Sequence, residues 1–271
     1  MSNPSLGVAL VTGASSGIGR ATTAALKRAG YRVFGTSRKA AAAKSDDLTM
    51  LTCDVTDDAS VKKMVDELLQ KAGRIDLLVN NAGVGLLGGA EESSTRQAQA
   101  LFDVNVFGVL RVTNAILPTM RRQGMGRIIN MSSILGLIPA PYNALYASTK
   151  HAIAGYSESL DHELRTSGIR VVLVEPGVTR TSFEENIIRP DQLMATYDSA
   201  RVSSEALMRQ WISAGDPPEV VADTVVRAAT AAAPKRRYTA GKQAGQVRML
   251  RRYLPEFMVD KSIRQFNKLP T

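Results

Sequence analysis

Residues 7–19 read GVALVTGASSGIG and decide the fold of this chain. Residues 7–12 are an apolar run with β-branched side chains, which predicts a buried strand. A glycine-rich segment, 13–19, follows it, and residues 18–29 have the pattern of a helix ending at Gly30. Such a strand–turn–helix lets the backbone approach a phosphate closely and points free N–H groups of the helix at it. The spacing therefore predicts a phosphate-binding turn, the alternative being a turn that is merely tight.

Outward from this turn, strand and helix patterns alternate along the whole chain. Strands are predicted at residues 31–36, 48–53, 75–80, 127–131, 169–175 and 237–240. Helices are predicted at residues 59–72, 95–122, 146–166, 201–214, 218–232, 246–253 and 260–266. Alternation of this kind implies an α/β fold with a parallel sheet covered on both faces. We expect one domain over residues 1–271, in which residues 178–215 form a substrate loop or lid and residues 242–271 a basic C-terminal extension.

Composition excludes several classes of protein. With 44% hydrophobic and 22% charged residues, the chain is typical of soluble globular proteins. The single cysteine, Cys53, cannot form an intrachain disulfide. The sequence shows no secretory signal and no run of about 18 consecutive apolar residues, so we expect no transmembrane helix. These features predict a cytoplasmic protein.

The positive charge is concentrated at the C-terminal end. Residues 235–271 contain ten lysines and arginines and two acids, which accounts for nearly all of the net charge of +9. One interpretation is a solvated cap over the mouth of a substrate site, and another is a basic patch that contacts a membrane surface. Nucleic-acid binding is disfavoured because no groove-reading motif or aromatic stacking pattern accompanies the charge. We expect no nucleic-acid partner and leave the other two interpretations open.

Residues 144–151 read ALYASTKH and place Tyr146 and Lys150 four positions apart. On a helix these side chains share one face. A neighbouring ammonium favours phenolate over phenol, so we expect Lys150 to lower the pKa of Tyr146. A tyrosine tuned in this way can exchange a proton with an alcohol oxygen near neutral pH. Alone, the spacing also fits a chance pair on a helix surface.

The end of the second predicted strand indicates which dinucleotide would bind. An acid at this position bonds the ribose 2′-hydroxyl of NAD, but residues 35–39 read GTSRK and contain no acid. Arg38 can meet a 2′-phosphate with two parallel hydrogen bonds, and Ser37 can add another. The pattern favours NADP(H), the alternative being that Arg38 and Lys39 are solvated surface charges.

These motifs together resemble the classical short-chain dehydrogenase/reductase family. The resemblance covers about residues 6–182, and more loosely reaches Gly241. It rests on TGASSGIG at 12–19, CDV at 53–55, NNAG at 80–83, FDVNVFG at 102–108, NMSSILG at 130–136, YxxxK at 146–150 and PG at 176–177. The segments PPEVVADTVVRAA and RYTAGK are similar to the branch of hydroxysteroid and retinol dehydrogenases. The resemblance implies a Rossmann-type doubly wound parallel sheet of about seven strands, with a C-terminal helical extension.

The resemblance also implies roles for individual residues. Tyr146 would be the general acid/base, Lys150 would lower its pKa and bond the nicotinamide ribose, and Ser133 would bond the substrate oxygen. Asn105 would hold a water that links Lys150 to solvent, although an asparagine within a helix can instead bond the backbone. The implied contacts with NADP(H) are Gly13, Ser15, Ser16, Gly17, Ile18, Gly19, Ser37, Arg38, Asp54, Val55, Asn81, Ala82, Gly83, Tyr146, Lys150, Pro176, Gly177, Val178 and Thr181. No metal is expected, because His151 and His162 have no cysteine or acid at ligand spacing.

The predicted substrate is a lipophilic secondary alcohol, ketone or aldehyde of steroid or retinoid type. The side chains expected around it are mostly apolar, with Ser133 at the catalytic end: Ser133, Leu135, Tyr142 and Phe183, within a wall that also includes Leu86, Leu87, Ile134, Leu137, Pro139, Leu193, Met194 and Tyr197. Two alternatives stay open, an NADP(H)-sensing protein without turnover and a 3-oxoacyl thioester reductase. The resemblance further implies a homodimer or homotetramer.

Overall fold

The structure is a computed structural model that describes residues 6–39, 48–181, 183 and 186–269. Its strands are β1 (Gly7–Val11), β2 (Tyr31–Ser37), β3 (Thr49–Thr52), β4 (Leu77–Asn80), β5 (Gly85–Leu86), β6 (Gly126–Met131), β7 (Ile169–Pro176), β8 (Ile187–Ile188) and β9 (Arg237–Ala240). Its helices are α1 (Gly17–Arg28), α2 (Asp58–Ala72), α3 (Thr95–Phe102), α4 (Gly108–Gln123), α5 (Ala144–Leu164), α6 (Asp198–Ser213), α7 (Pro218–Thr230), α8 (Lys242–Tyr253) and α9 (Glu256–Phe266).

Within these residues a central sheet of seven parallel strands has the order β3-β2-β1-β4-β6-β7-β9. Val11 of β1 is paired with Gly35 of β2 on one side and with Val79 of β4 on the other. The chain therefore winds outward in both directions from β1 and β4, and the strand order reverses between them. In open α/β sheets, ligands bind beside such a reversal at the carboxyl ends of the strands. The predicted Rossmann-type doubly wound sheet is confirmed.

Helices cover both faces of this sheet because alternate strand side chains point to opposite sides. On one face, Leu26 of α1 and Val225 of α7 pack against Val11 and Val174. The other face buries side chains of α2, α4 and α5, for example Leu68, Ile116 and Leu160, against Leu10, Leu78 and Val171. Two separate apolar layers thus hold the sheet and leave its carboxyl edge open to a ligand.

The long helix predicted at residues 95–122 is two helices joined by a turn of π-helix at Asp103–Phe107. The whole stretch Thr95–Gln123 is long and apolar enough to span a membrane by length and composition, with a mean hydropathy of 1.4. However, α4 buries Val112, Ile116 and Met120 completely in the core. Packing on the sheet therefore accounts for its apolar character.

Segments after β7 lie over the carboxyl edge of the sheet. The two-residue strands β5 and β8 pair in parallel and bring residues 187–188 beside residues 85–86. The rings of Trp211 on α6 and Phe266 on α9 stack with centroids 4.6 Å apart. This contact joins the 178–215 segment to the C-terminal helices above the open edge.

Candidate active site

The glycine-rich turn after β1 is too compact for side chains. A Cβ atom on Gly19 would lie 2.1 Å from the carbonyl oxygen of Gly13. A Cβ on Gly13, whose φ is 65°, would lie 2.9 Å from the Cα of Ala82. Glycine is required at both positions, and the backbone forms a bare cradle at the start of α1. This turn, bare of side chains, lies at the N-terminus of α1, where free N–H groups and the helix dipole suit a dinucleotide phosphate.

The N-terminus of α1 keeps its positive potential. Ser16 is the N-cap, and in the described part of the chain its side chain makes no capping hydrogen bond. The first turn contains no acid that would neutralise the helix dipole. Asn81 fixes the cradle, because its Nδ2 donates to the carbonyl oxygens of Thr12 (2.9 Å) and Gly13 (3.1 Å). Thr12 Oγ1 in turn accepts from the backbone N–H groups of Asn81 and Ala82, both at 3.0 Å.

The end of β2 presents positive charge to the same cavity. Arg38 and Lys39 are exposed, and Ser37 Oγ donates to the Lys39 carbonyl oxygen at 2.5 Å. The nearest acid, Asp54, follows β3 and accepts from the backbone N–H and the hydroxyl of Thr56 at 2.9 and 2.7 Å. These bonds, with a smaller contribution from Arg38, hold the pKa of the Asp54 carboxyl below its usual value.

Ser133, Tyr146 and Lys150 meet at the centre of the cavity. Ser133 follows β6, and its Oγ accepts from the N–H of Leu135 at 3.1 Å and hydrogen-bonds to the Tyr146 hydroxyl. Lys150 Nζ donates to the carbonyl oxygen of Met131 at 3.1 Å and lies 5.5 Å from the centroid of the Tyr146 ring. The ring of Phe183 lies 6.1 Å from that of Tyr146 and covers it on the substrate side. The three predicted catalytic side chains are therefore brought together.

The predicted direction of the Tyr146 pKa shift is wrong for this structure. Burial raises the pKa of its hydroxyl, and the hydrogen bond with Ser133 offsets only part of that effect. Burial also lowers the pKa of Lys150 to about 8. The free-energy cost of burying a negative charge on Tyr146 exceeds the stabilisation that the Lys150 ammonium provides at this distance. At neutral pH Tyr146 is a phenol, the form that donates a proton to a developing alkoxide.

Asn105 sits in the π-helical turn and braces the neighbouring loop. Its Oδ1 accepts from the N–H of Val84 and its Nδ2 donates to the carbonyl oxygen of Val84, both at 2.9 Å. Nδ2 also lies 3.3 Å from Oγ1 of Thr149. These bonds match the alternative of a structural asparagine, while the water-holding role stays a prediction. π-Helical turns are frequent at functional sites, and nothing in the sequence pattern indicated this one.

One cavity of about 850 Å³ connects these parts. Every residue expected to contact the cofactor, from Gly13 to Thr181, lines it. Leu135 and Phe183 line its apolar end as predicted, as do Leu86, Leu87, Ile134 and Pro139. In the described residues no group of three or more His, Cys, Asp or Glu side chains is arranged to hold a metal ion.

Tyr142, expected beside the substrate, is absent from the described residues that line this cavity. Its backbone has a φ of 61°, a left-handed conformation rare outside glycine, and its carbonyl oxygen accepts from the N–H of Gly88 at 2.9 Å. Four other residues expected in the wall are likewise absent from the lining: Leu137, Leu193, Met194 and Tyr197. The cavity lining therefore does not support a substrate contact for these five residues.

Helices nearer the C-terminus line the apolar end of the cavity instead. Met208, Trp211 and Ile212 of α6 line the apolar end, and α8 and α9 contribute Val247, Leu250, Ile263 and Phe266. The sequence predicted residues 178–215 as a lid and offered a cap over the substrate mouth as one interpretation of the C-terminal residues, but it did not single out these side chains. α6 is held in place by Arg201, which pairs with the fully buried Glu92. Met194 N–H donates to the same carboxylate at 2.9 Å.

Comparison with known proteins shows which family this chain belongs to. The short chain dehydrogenase family model matches residues 7–192, so the chain belongs to that family of oxidoreductases. The chain is 41% identical over 179 residues to 3-ketodihydrosphingosine reductase of Bacteroides thetaiotaomicron, the match covering 66% of either chain. It is 34% identical over 249 residues to retinol dehydrogenase 8 of Bos taurus, covering 83% of this chain and 78% of the relative.

Solved structures agree in fold and in the type of cofactor. A short-chain dehydrogenase from Streptomyces avermitilis is 32% identical, with a TM-score of 0.82 over 98% of this chain and 97% of the other. A Burkholderia phymatum short chain dehydrogenase/reductase in complex with NAD is 27% identical, with a TM-score of 0.77 over 89% and 90% of the two chains. A serine dehydrogenase complexed with NADP+ is 26% identical, with a TM-score of 0.74 over 86% and 93%. Structural neighbours thus bind either NAD or NADP.

Proposed function

We propose that this chain is an NADP(H)-dependent oxidoreductase that acts on a lipophilic secondary alcohol, ketone or aldehyde of steroid or retinoid type. The observation that carries the proposal is the position of Tyr146. Its buried hydroxyl lies in one cavity between the glycine cradle and an apolar compartment, with Ser133 and Lys150 beside it. A proton donor at this junction faces both a bound dinucleotide and a bound substrate.

The reaction divides between cofactor and protein. When bound, the nicotinamide dinucleotide supplies or accepts the hydride at the substrate carbon. Ser133 holds the substrate oxygen, and Tyr146 gives that oxygen a proton during reduction or takes one from it during oxidation. Lys150, fixed by the Met131 carbonyl oxygen, places a positive charge near the phenol oxygen and favours the phenolate that each reduction leaves behind. Phe183 and Leu135 exclude water from the reacting carbon.

The preference for NADP(H) rests on the end of β2. Arg38 lines the cavity beside Ser37, and the residues that end this strand contain no acid. A carboxylate there would bond a ribose 2′-hydroxyl and repel a 2′-phosphate, whereas a guanidinium bonds the phosphate bidentately. The electrostatics of this corner therefore support the phosphorylated cofactor.

The substrate class rests on the apolar walls around Tyr146. Side chains from four regions of the chain enclose the compartment, among them Leu86, Leu135, Trp211 and Ile263. Polar side chains such as Gln246 and Arg251 also line the cavity, but apolar residues predominate in its lining. A mostly apolar pocket with one polar catalytic end suits a lipophilic carbonyl. The names of two relatives support this class, since retinol and 3-ketodihydrosphingosine are both lipophilic.

The proposal is tested by incubating the purified protein and NADPH with a panel of carbonyl compounds. The panel runs from small ketoesters through retinal and steroid ketones to acyl thioesters, and absorbance of the reduced nicotinamide reports turnover. Fastest turnover with the large apolar carbonyls is expected. A preference for thioesters would instead establish the 3-oxoacyl reductase. Tight NADPH binding with no turnover on the panel would contradict the proposal and favour a sensor.

A further inference from the structure

Helices α8 and α9 have two different faces. The inner face turns Val247, Leu250, Val259 and Ile263 toward the cavity. Phe266 on this face stacks on Trp211 of α6. About one residue in each turn of the two helices makes such an inward contact. They leave the rest of the two helices in contact with solvent, and that outer face carries large apolar side chains among its polar ones.

Large apolar side chains point outward along this face. Met249 and Tyr253, one turn apart on α8, are 57% and 66% exposed. Phe257 and Met258 in the first turn of α9 are 73% and 41% exposed. Pro255 alone separates Leu254 from α9, so the four side chains lie on turns that are close along the chain, at the junction of α8 and α9. We call Met249, Tyr253, Phe257 and Met258 the outer apolar surface. Clustered exposure of this kind marks an interaction surface, unlike single apolar residues.

Basic residues surround the outer apolar surface. Residues 242–269 contain seven lysines and arginines and two acids. Arg252 places its guanidinium 5.5 Å from the ring centroid of Tyr253, and Lys261 stands exposed one turn beyond Phe257. Acids are also present, since Glu256 precedes Phe257 and Asp260 lies one turn beyond it. Lysines and arginines nevertheless outnumber acids seven to two in this segment, so the surroundings of the outer apolar surface have a net positive charge.

Aromatic and aliphatic side chains ringed by Lys and Arg match the chemistry of an anionic bilayer surface. The apolar side chains enter the boundary between headgroups and acyl chains, and the cations bind the negative headgroups. Long basic side chains can also lay their methylene stems along lipid while keeping the charge in water. We propose that the outer apolar surface and the basic residues around it dock α8 and α9 on an anionic membrane.

This docking would place the cavity mouth at the membrane. Leu250 both lines the cavity and is 48% exposed between Met249 and Arg251, so the apolar end of the cavity opens beside α8. A lipophilic substrate would then pass from the bilayer to Tyr146 with little exposure to water. That route rests on the proposed function, whereas the docking itself rests only on the surface of α8 and α9.

Docking is tested by sedimentation of the full chain with sucrose-loaded vesicles, in the absence of substrate. One set of vesicles contains phosphatidylcholine and phosphatidylglycerol in equal parts, and the other contains phosphatidylcholine alone. We expect binding to the mixed vesicles and much weaker binding to the neutral ones. Phe257→Ser should weaken that binding about tenfold, as loss of one buried aromatic predicts. Val202→Ser, a matched loss of an exposed apolar side chain on α6, should leave it unchanged.

The basic residues around the surface are tested separately. The double variant Arg252→Glu/Lys261→Glu should lose binding to the mixed vesicles, because each basic residue near such a surface contributes about 1 kcal/mol. Lys62→Glu/Lys63→Glu makes the same change of charge on α2 and serves as its control. Equal loss in both double variants would show a general effect of net charge and overturn the docking surface.

Two further results would overturn the proposal. The first is the absence of wild-type binding to the mixed vesicles. The second is a Phe257→Ser variant that binds vesicles normally but changes the oligomeric state measured by sedimentation equilibrium, since the surface would then join two copies of this chain. Phe257→Ser should also keep normal turnover of a small water-soluble ketone, which separates failed docking from a failed oxidoreductase.

Discussion

The hydroxyl of Tyr146 lies where a negative charge is costly. Burial raises its pKa, and the neighbouring ammonium of Lys150 is itself destabilised by burial. Both groups therefore favour their neutral forms more than they would in water. A phenol is ready to donate in the reducing direction, and a substrate oxygen that develops negative charge draws the proton from it. At the scale of single residues, burial thus keeps Tyr146 protonated near neutral pH, as the proposed reduction of a carbonyl requires.

Lys150 gives a stability prediction whose sign follows from its pKa. Its value of about 8 in the folded chain lies below the ordinary 10.5, so the unfolded chain holds this proton more tightly. The positive charge of Lys150 therefore lowers the free energy of unfolding by its full amount below about pH 8. This destabilisation decreases as the pH rises and is absent above about pH 10.5. Lys150→Met should raise the free energy of unfolding at pH 7 by about 2 kcal/mol, after allowance for the lost bond to Met131.

Urea unfolding of wild type and Lys150→Met at pH 7 and near pH 10 measures this effect. The advantage of the variant should shrink at the higher pH, where the wild-type lysine is neutral when folded. A variant that is less stable than wild type by the same amount at both values would show that burial does not penalise this ammonium. Activity should be lost in either case.

Arg38 gives a prediction about cofactor choice. Arg38→Asp places a carboxylate where it bonds a ribose 2′-hydroxyl and repels a 2′-phosphate, so the ratio of kcat/KM for NADPH over NADH should invert. Charge-assisted hydrogen bonds are worth about 1.5–3 kcal/mol, which corresponds to a change of about tenfold to a hundredfold for each. Lys39→Asp is the matched control and should have a much smaller effect. Equal ratios for wild type and Arg38→Asp would contradict the NADP(H) assignment.

At the scale of elements, Asp161 joins α5 to β7 and so holds the helix that carries Tyr146. Its buried carboxylate accepts from Val171 N–H at 3.0 Å, from Arg170 Nε at 2.9 Å and from Arg165 Nη2 at 2.5 Å. Burial alone would raise the pKa of this carboxyl, but these bonds bring it down to about 2. The stabilisation is therefore complete above about pH 4 and is lost as the pH falls through about 2.

Asp161→Asn should lower the free energy of unfolding at pH 7 by about 3 kcal/mol, because two arginines lose a buried partner. The difference from wild type should narrow toward about pH 2, where the wild-type carboxyl is protonated. Asp66→Asn removes an exposed pair with Lys62 and should cost under about 1 kcal/mol. Urea titrations across this pH range check the prediction, and a pH-independent loss in Asp161→Asn would refute the role of its charge.

The elements themselves were largely predictable from sequence. Apolar runs and helical periodicity located β1, β2, β6, β7 and the helices to within a few residues, because these segments are buried on faces of fixed period. The π-helical turn at Asp103–Phe107 was not visible, because the eight residues of α3 before it are too few to reveal a change in the phase of the apolar pattern. The pair β5 and β8 was missed as well, because two-residue strands have no period to detect.

At the scale of the whole molecule, the residues expected around the cofactor lie along one cavity, while the apolar end differs from the expectation. Positions such as Gly13 and Asn81 follow from a compact local turn and from motifs of fixed spacing, and their contact with the cofactor stays a prediction. The apolar end depends instead on how α6, α8 and α9 pack across segments distant in sequence. Tyr142 was expected there and is absent from the lining, whereas Phe266 was expected only as part of a basic tail and lines it.

This apolar end gives a prediction about substrate size. Phe266→Ala removes the ring stacked on Trp211 and opens the apolar end of the cavity. KM for a large lipophilic carbonyl should rise about tenfold, the effect of losing an apolar contact together with an aromatic pair. KM for a small ketoester bound near Ser133 should change little. Steady-state kinetics on both substrates measure this, and equal changes in the two KM values would show that the C-terminal helices do not shape the substrate site.

The measurement that tests the central claim most directly is turnover and NADPH binding of Tyr146→Phe. This variant keeps the ring and loses only the hydroxyl that exchanges the proton. NADPH should bind with a Kd close to wild type, because the cradle at Gly13–Gly19 is unchanged, while kcat should fall by about a hundredfold or more. Full turnover in this variant would contradict the role of Tyr146 and with it the proposed mechanism.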